Sequence, residues 1–170
     1  MRAITLTVTA LTAALLLTGC DSGGGKSSSG SSACSFDRIG LQVGPASAAP
    51  AAGDTGEVTV SITNKSAKCT LDGFAGIKLI AASGSAAVPA LPGAKAQKLT
   101  LAKGDAATFT ISYVRGDAGA ATSLAAKTMK ISLPGSTDSQ SYAWTYGPVA
   151  EKGSATTPDA TVSAFTQAGD

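Results

Sequence analysis

Cys20, Cys34 and Cys69 are the only thiols in the chain, and there is no histidine. Those two facts decide most of the chemistry. Without an imidazole there is no Ser-His-Asp or Cys-His arrangement for nucleophilic catalysis. Copper sites on β-sandwiches need His alongside Cys or Met, and past the start methionine only Met129 remains. No CxxC pair is present, so neither a zinc knuckle nor a dithiol site is indicated. The sequence predicts no metal and no cofactor.

The carboxylates are the remaining acid–base groups. Asp37, Asp54, Glu57, Asp72, Asp105 and Asp117 are spread over turns and strand ends. Paired carboxylates can hydrolyse a glycoside, which keeps an envelope hydrolase as an alternative reading. The simpler reading is that Asp favours turns because its side chain bonds the local backbone. A calcium loop would show a D-x-D-x-D-G pattern, which is absent. Asn64-Lys65-Ser66 matches the N-glycosylation pattern. Asn also suits a positive-φ turn position after a strand, and that reading is preferred. Tyr142, Trp144 and Tyr146 alternate, so one strand would carry all three on one face, as core filler in preference to an aromatic ligand platform. Gly23-Gly24-Gly25 precedes no element and reads as linker, not as a phosphate loop. No residue is singled out as ligand-binding.

Cys20 closes a pattern of its own. Arg2, the apolar stretch Ala3 to Leu17, and then Leu17-Thr18-Gly19-Cys20 resemble the export signal and lipobox of bacterial lipoproteins. The stretch is interrupted by Thr5, Thr7, Thr9 and Thr12. It is also short of the roughly 20 apolar residues a spanning helix needs. The resemblance implies cleavage after residue 19 and a diacylglycerol thioether on Cys20. Two or three acyl chains anchor stably, at about 0.8 kcal/mol per buried methylene. Residues 1–19 are therefore set aside as a cleaved signal peptide. The expected location is extracytoplasmic, lipid-anchored to the outer face of the cell membrane.

Assigning Cys20 to lipid leaves Cys34 and Cys69, an even number in an oxidising compartment. They are expected to form a disulfide, the alternative being two buried free thiols. A bridge closing this loop of about 35 residues would contribute about 4 kcal/mol by chain entropy.

The elements that must hold these residues follow from hydrophobic periodicity. Residues 20–33 are the lipidated Cys and a Gly/Ser-rich tether; the thirteen from Asp21 to Ala33 have an r.m.s. reach of roughly 20 Å. From Cys34 the pattern turns to period two. Ile39, Leu41 and Val43 alternate with polar or small residues, as do Val58, Val60 and Ile62, then Ile77 and Leu79. Leu99 and Leu101, then Phe109, Ile111 and Tyr113, then Met129, Ile131 and Leu133 continue it. Tyr142, Trp144 and Tyr146 follow, with Val162 and Ala164 as a weaker last strand. Turn signals such as Asp72-Gly73, Lys103-Gly104-Asp105 and Pro134-Gly135 separate the runs. Short alternating strands at this spacing predict an all-β antiparallel sandwich. One domain is expected over residues 34–167. Ala118 to Lys127 is read as holding one helical turn around Leu124, and the tail as free beyond Phe165.

Charge excludes one partner class. Setting Arg2 aside, 12 basic residues oppose 11 acidic ones, a net charge of about +1. Such a balance leaves no footprint for nucleic acid.

Residues 53–80 are the most specific segment. A Gly-Asp-x-Gly turn leads into an alternating strand, then Asn64, a turn, and Cys69-Thr70-Leu71-Asp72-Gly73-Phe74-Ala75-Gly76. Later, Leu99-Thr100-Leu101-Ala102-Lys103-Gly104-Asp105-Ala106 precedes another alternating strand. This arrangement, with Cys34 upstream, resembles a family of actinobacterial secreted lipoproteins carrying a domain of unknown function. The resemblance spans about Cys34 to Tyr146. It implies an immunoglobulin-like sandwich, of seven to nine strands here, and a cell-envelope location, and it carries over no functional residues. Members often have a second pair of Cys in the C-terminal half. This chain lacks both, as expected if those two bond each other and leave Cys34 with Cys69.

The expected function is that of a lipid-anchored, non-enzymatic binding or interaction module of the cell envelope. Its partners would be the membrane, through Cys20, and an envelope protein or polymer. A purely structural surface spacer is the further alternative.

Overall fold

The computed structural model describes residues 32–153 and 157–168; Cys20, the signal segment and most of the tether lie outside them. The strands are β1 (Ser32–Ala33), β2 (Ile39–Ser47), β3 (Thr55–Asn64), β4 (Cys69–Asp72), β5 (Gly76–Ala81), β6 (Gly84–Val88) and β7 (Lys98–Leu101). Then follow β8 (Ala106–Val114), β9 (Ser123–Leu124), β10 (Thr128–Ser132), β11 (Ser139–Ala143), β12 (Val149–Ala150), β13 (Ala160–Val162) and β14 (Thr166–Gln167). The described residues contain no helix.

Alternation builds the two main sheets. Along β3, Val58, Val60 and Ile62 point inward, and along β8 Phe109, Ile111 and Tyr113 do the same. These two strands pair antiparallel over their whole length and form the centre of a sheet ordered β13-β8-β3-β2, with β14 also on β8. The second sheet runs β11-β10-β5-β6 and contributes Ile77, Leu79, Met129 and Ile131. All these side chains fall in one hydrophobic core, so the sheets lie face to face. Taking β2, β3, β5, β8, β10 and β11 as A, B, C, E, F and G, the orders A-B-E and G-F-C are those of an immunoglobulin-like sandwich. A small sheet, β1-β4-β7, closes one side and adds buried Leu71 and Leu101.

Several expectations from the sequence change here. β11 ends at Ala143, so Trp144 and Tyr146 lie beyond it and the aromatic alternation is not one strand. No helical turn forms in Ala118–Lys127; it is a turn segment holding the two-residue strand β9. The tail is not free at Phe165: that residue is buried, and Thr166 and Gln167 pair with Thr108 and Ala107. Ser32 and Ala33, read as the end of the tether, pair in parallel with Cys69 and Thr70. β6 was hidden by its composition: Gly84-Ser85-Ala86-Ala87-Val88 offers little β-branched or aromatic signal.

The register of β3 defines two poles. At one, Asn64 pairs with Ile39 and the chain enters from the tether. At the other, Thr55 pairs with Val114. The ten residues of β3 separate them by about 30 Å at the usual rise per residue.

Candidate functional site

At the tether pole the disulfide is formed. Cys34 and Cys69 are bonded, with Cα atoms 4.9 Å apart. Both are buried, and Cys34 N–H donates to the Thr70 carbonyl at 2.9 Å. The bridge therefore fixes the point where the tether meets the domain.

Asn64 sits beside it and is fully buried. Its amide Nδ2 donates to the carbonyls of Ala67 (3.1 Å), Leu101 (3.0 Å) and Ala102 (3.2 Å). Its Oδ1 accepts from Ser66 N–H at 3.1 Å. Asn64 is the last residue of a paired strand, not the tip of a turn, so its polar side chain staples two loops to the sandwich. A glycan would need that amide nitrogen.

The six carboxylates do not converge. Asp54 and Asp105 cap their own turns, accepting from Ala51 N–H (3.0 Å) and Ala102 N–H (2.9 Å). Asp72 lies 3.9 Å from Lys98 across β4 and β7. Asp37 is exposed beside Arg38; a hydrogen bond from the Ser35 side chain is the main influence holding its carboxyl below the usual range. Glu57 faces outward along β3. Among the described residues no three His, Cys, Asp or Glu side chains group as a metal site.

Several clefts gather at the pole opposite the tether. Three segments meet there: residues 48–54, 115–124 and 144–151. Arg115 ties the first to the second, its Nη1 donating to the carbonyls of Ala49 (2.7 Å) and Pro50 (3.0 Å). Tyr113 ties the first to the third. Its hydroxyl accepts from Ala49 N–H at 3.2 Å and donates to the Tyr146 carbonyl at 3.0 Å. Trp144 packs edge-on against Tyr113 and Tyr146, with centroids 5.1 and 4.9 Å away. Its indole N–H donates to the Gly147 carbonyl at 2.7 Å. Gly147 has φ of 90°, the left-handed region glycine favours. Partial burial raises the Tyr146 phenol, with neighbouring Tyr113 adding to it, and burial likewise raises Tyr142.

On this frame lies an open cleft of about 370 Å³, lined by Gly53, Arg115, Asp117, Ser123 and Glu151 among others. A second, of about 270 Å³, runs past Ala118, Lys127, Trp144 and Pro148. A third, of about 320 Å³, shares Ser123 and Glu151. A larger hollow of about 560 Å³ lies elsewhere, between Leu99 and Phe165. Of the carboxylates singled out in the sequence, only Asp117 lines the first cleft. Glu151 and Arg115 were not anticipated, because nothing in the sequence near them signals that their loops converge.

The family described as "domain of unknown function (DUF4232)" matches residues 34–166. The chain belongs to this family. The match takes in the disulfide, the core and both poles of the DUF4232 domain, with Cys20 and the whole Gly/Ser segment before it. No curated protein and no solved structure matches the chain.

Proposed function

We propose that this DUF4232 protein is a lipid-anchored protein of the cell envelope that binds an envelope protein or polymer through the loops at the pole away from its anchor. It acts without catalysis, outside the cytoplasm. The observation that carries this reading is the opposition of the two ends. The chain enters at the disulfide-pinned pole, and three of the clefts described above lie about 30 Å away along β3. With a tether reach of roughly 20 Å, an anchor on Cys20 would keep the tether pole near the bilayer and leave the loop pole accessible. Loops held by a rigid scaffold are common recognition surfaces. The lipobox-like Leu17-Thr18-Gly19-Cys20 and the resemblance to actinobacterial secreted lipoproteins support the location, and the disulfide agrees with an oxidising compartment.

Site-specific photocrosslinking in cells tests the binding surface. A photoreactive residue at exposed Ala118, on the loop pole, is expected to give a discrete adduct. The same residue at exposed Lys78, on the side of the second sheet, is expected to give none. No adduct from either position would favour a structural spacer. A hydrolytic role would rest on Asp117 and Glu151, the two carboxylates sharing a cleft. Turnover of an envelope polymer lost in Asp117→Asn would replace the binding reading.

A further inference from the structure

We propose that the tether pole docks on an anionic phospholipid surface, the leaflet in which Cys20 would be anchored; this rests on the anchoring reading above. Three loops form the surface: residues 35–38, 65–68 and 102–105. Arg38, Lys65, Lys68 and Lys103 stand exposed on them.

These cations sit on one rigid base. Lys65 N–H donates to the Arg38 carbonyl at 2.9 Å, and Gly104 N–H to the Asn64 carbonyl at 2.7 Å. The Asn64 amide then joins Ala67 to Ala102 through their carbonyls. The Lys65 stem crosses Gly40, where a β-carbon would come within 2.5 Å of its Cε. Arg38 reaches the tether itself, its Nη1 donating to Ser32 Oγ at 3.3 Å. The patch therefore surrounds the point where the chain leaves for Cys20.

Two carboxylates share the patch. Asp105 is half-buried and accepts from Ala102 N–H, and exposed Asp37 lies 3.9 Å from Arg38. Four cations against these two and exposed Asp138, on the turn between β10 and β11 at the same end, leave +1. At the same end of the sandwich, Asp72 and Lys98 pair with each other. Asp21 and Lys26 in the tether cancel.

A net +1 is too little to recruit a free protein. It suffices for a tethered one, because the short tether already holds the patch at an effective concentration of order millimolar. Each net positive charge near an anionic bilayer favours contact by about fivefold, so the patch biases the domain toward it by about that factor. Lys78 and Lys130 also face each other on the outer side of the second sheet, but the chain leaves for Cys20 from the tether-pole patch, so the occupant of that patch is the bilayer reached by the tether.

Hydrogen exchange on bilayer-bound protein tests this. The mature chain from Cys20 is coupled through that thiol to a maleimide lipid, so the outcome does not depend on whether cells acylate it. The vesicles are phosphatidylcholine alone, or phosphatidylcholine with about one-third phosphatidylglycerol. Exchange in residues 35–38, 65–68 and 102–105 is expected to slow at least about threefold on the anionic vesicles only. The protection should vanish in about 1 M salt, where the Debye length is about 3 Å. It should also vanish in the Lys68→Glu/Lys103→Glu variant, whose core exchange reports that it is folded. Equal exchange on both vesicles, protection that survives salt, or protection at residues 115–124 instead would overturn the proposal. Failure of the anchoring reading has a separate signature, an unmodified Cys20 in protein from native membranes.

Discussion

The side-chain amide of Asn64 donates to the carbonyl of Leu101 at 3.0 Å, joining residues 37 apart in the chain. The same nitrogen bonds Ala67 and Ala102, and the amide oxygen holds Ser66. One buried side chain thus organises the tether pole. Asn64→Ala leaves carbonyls unpaired and should cost about 2–3 kcal/mol in urea unfolding. Asn64→Asp sets a carboxylate against the same carbonyls. Burial and those oxygens would raise its pKa above the unfolded value of about 3.9, so its added penalty should shrink as pH falls toward 4. A penalty that grew on acidification would contradict that geometry.

The Cys34–Cys69 bridge closes a separation of 35 residues. Replacing both with Ser should lower stability by about 2–4 kcal/mol. The Ser32–Ala33 pairing with β4 should also lose exchange protection, while β3 and β8 keep theirs at low denaturant.

Gly56 pairs with Tyr113, and the Tyr113 ring fills the space over it: a β-carbon at Gly56 would lie 2.5 Å from Cε1. Gly56→Ala must therefore displace a buried ring that holds two loops. The expected cost is about 1–3 kcal/mol, read as a lowered denaturation midpoint with unchanged slope. A neutral result would mean the ring has room that the packing does not show.

Arg115, which lines the first cleft, commits its Nη1 to the Ala49 and Pro50 carbonyls. Arg115→Met should speed exchange across residues 49–54 by tenfold or so, about 1.4 kcal/mol of local opening. The β-sheet core should be unaffected. Uniform loss of protection throughout the domain would show the clamp to be global.

The sandwich was readable because its central strands alternate strictly. Val58, Val60 and Ile62, and Phe109, Ile111 and Tyr113, all point into the core. The cysteine pairing was readable once Cys20 was set apart. What escaped was held by tertiary contacts. Gly84–Val88 is a strand because β5 pairs with it, not through its own propensity. Trp144 is buried in a loop, where Tyr113 and Gly147 hold it, so period two put it on a strand that has already ended. Asn64 looked like a turn residue; only the return of Leu101 and Ala102 makes it a hub. The loop pole was least legible, since Gly53, Arg115 and Glu151 meet through strand register alone.

The proposed role requires a chain anchored at one pole and free at the other. The most direct measurement of that anchor is the mass of the N-terminal tryptic peptide from protein extracted from native membranes. The expected peptide begins at Cys20, ends at Lys26 and carries a diacylglyceryl thioether. A peptide running through Leu17-Thr18-Gly19-Cys20 with a free thiol would contradict the proposed role.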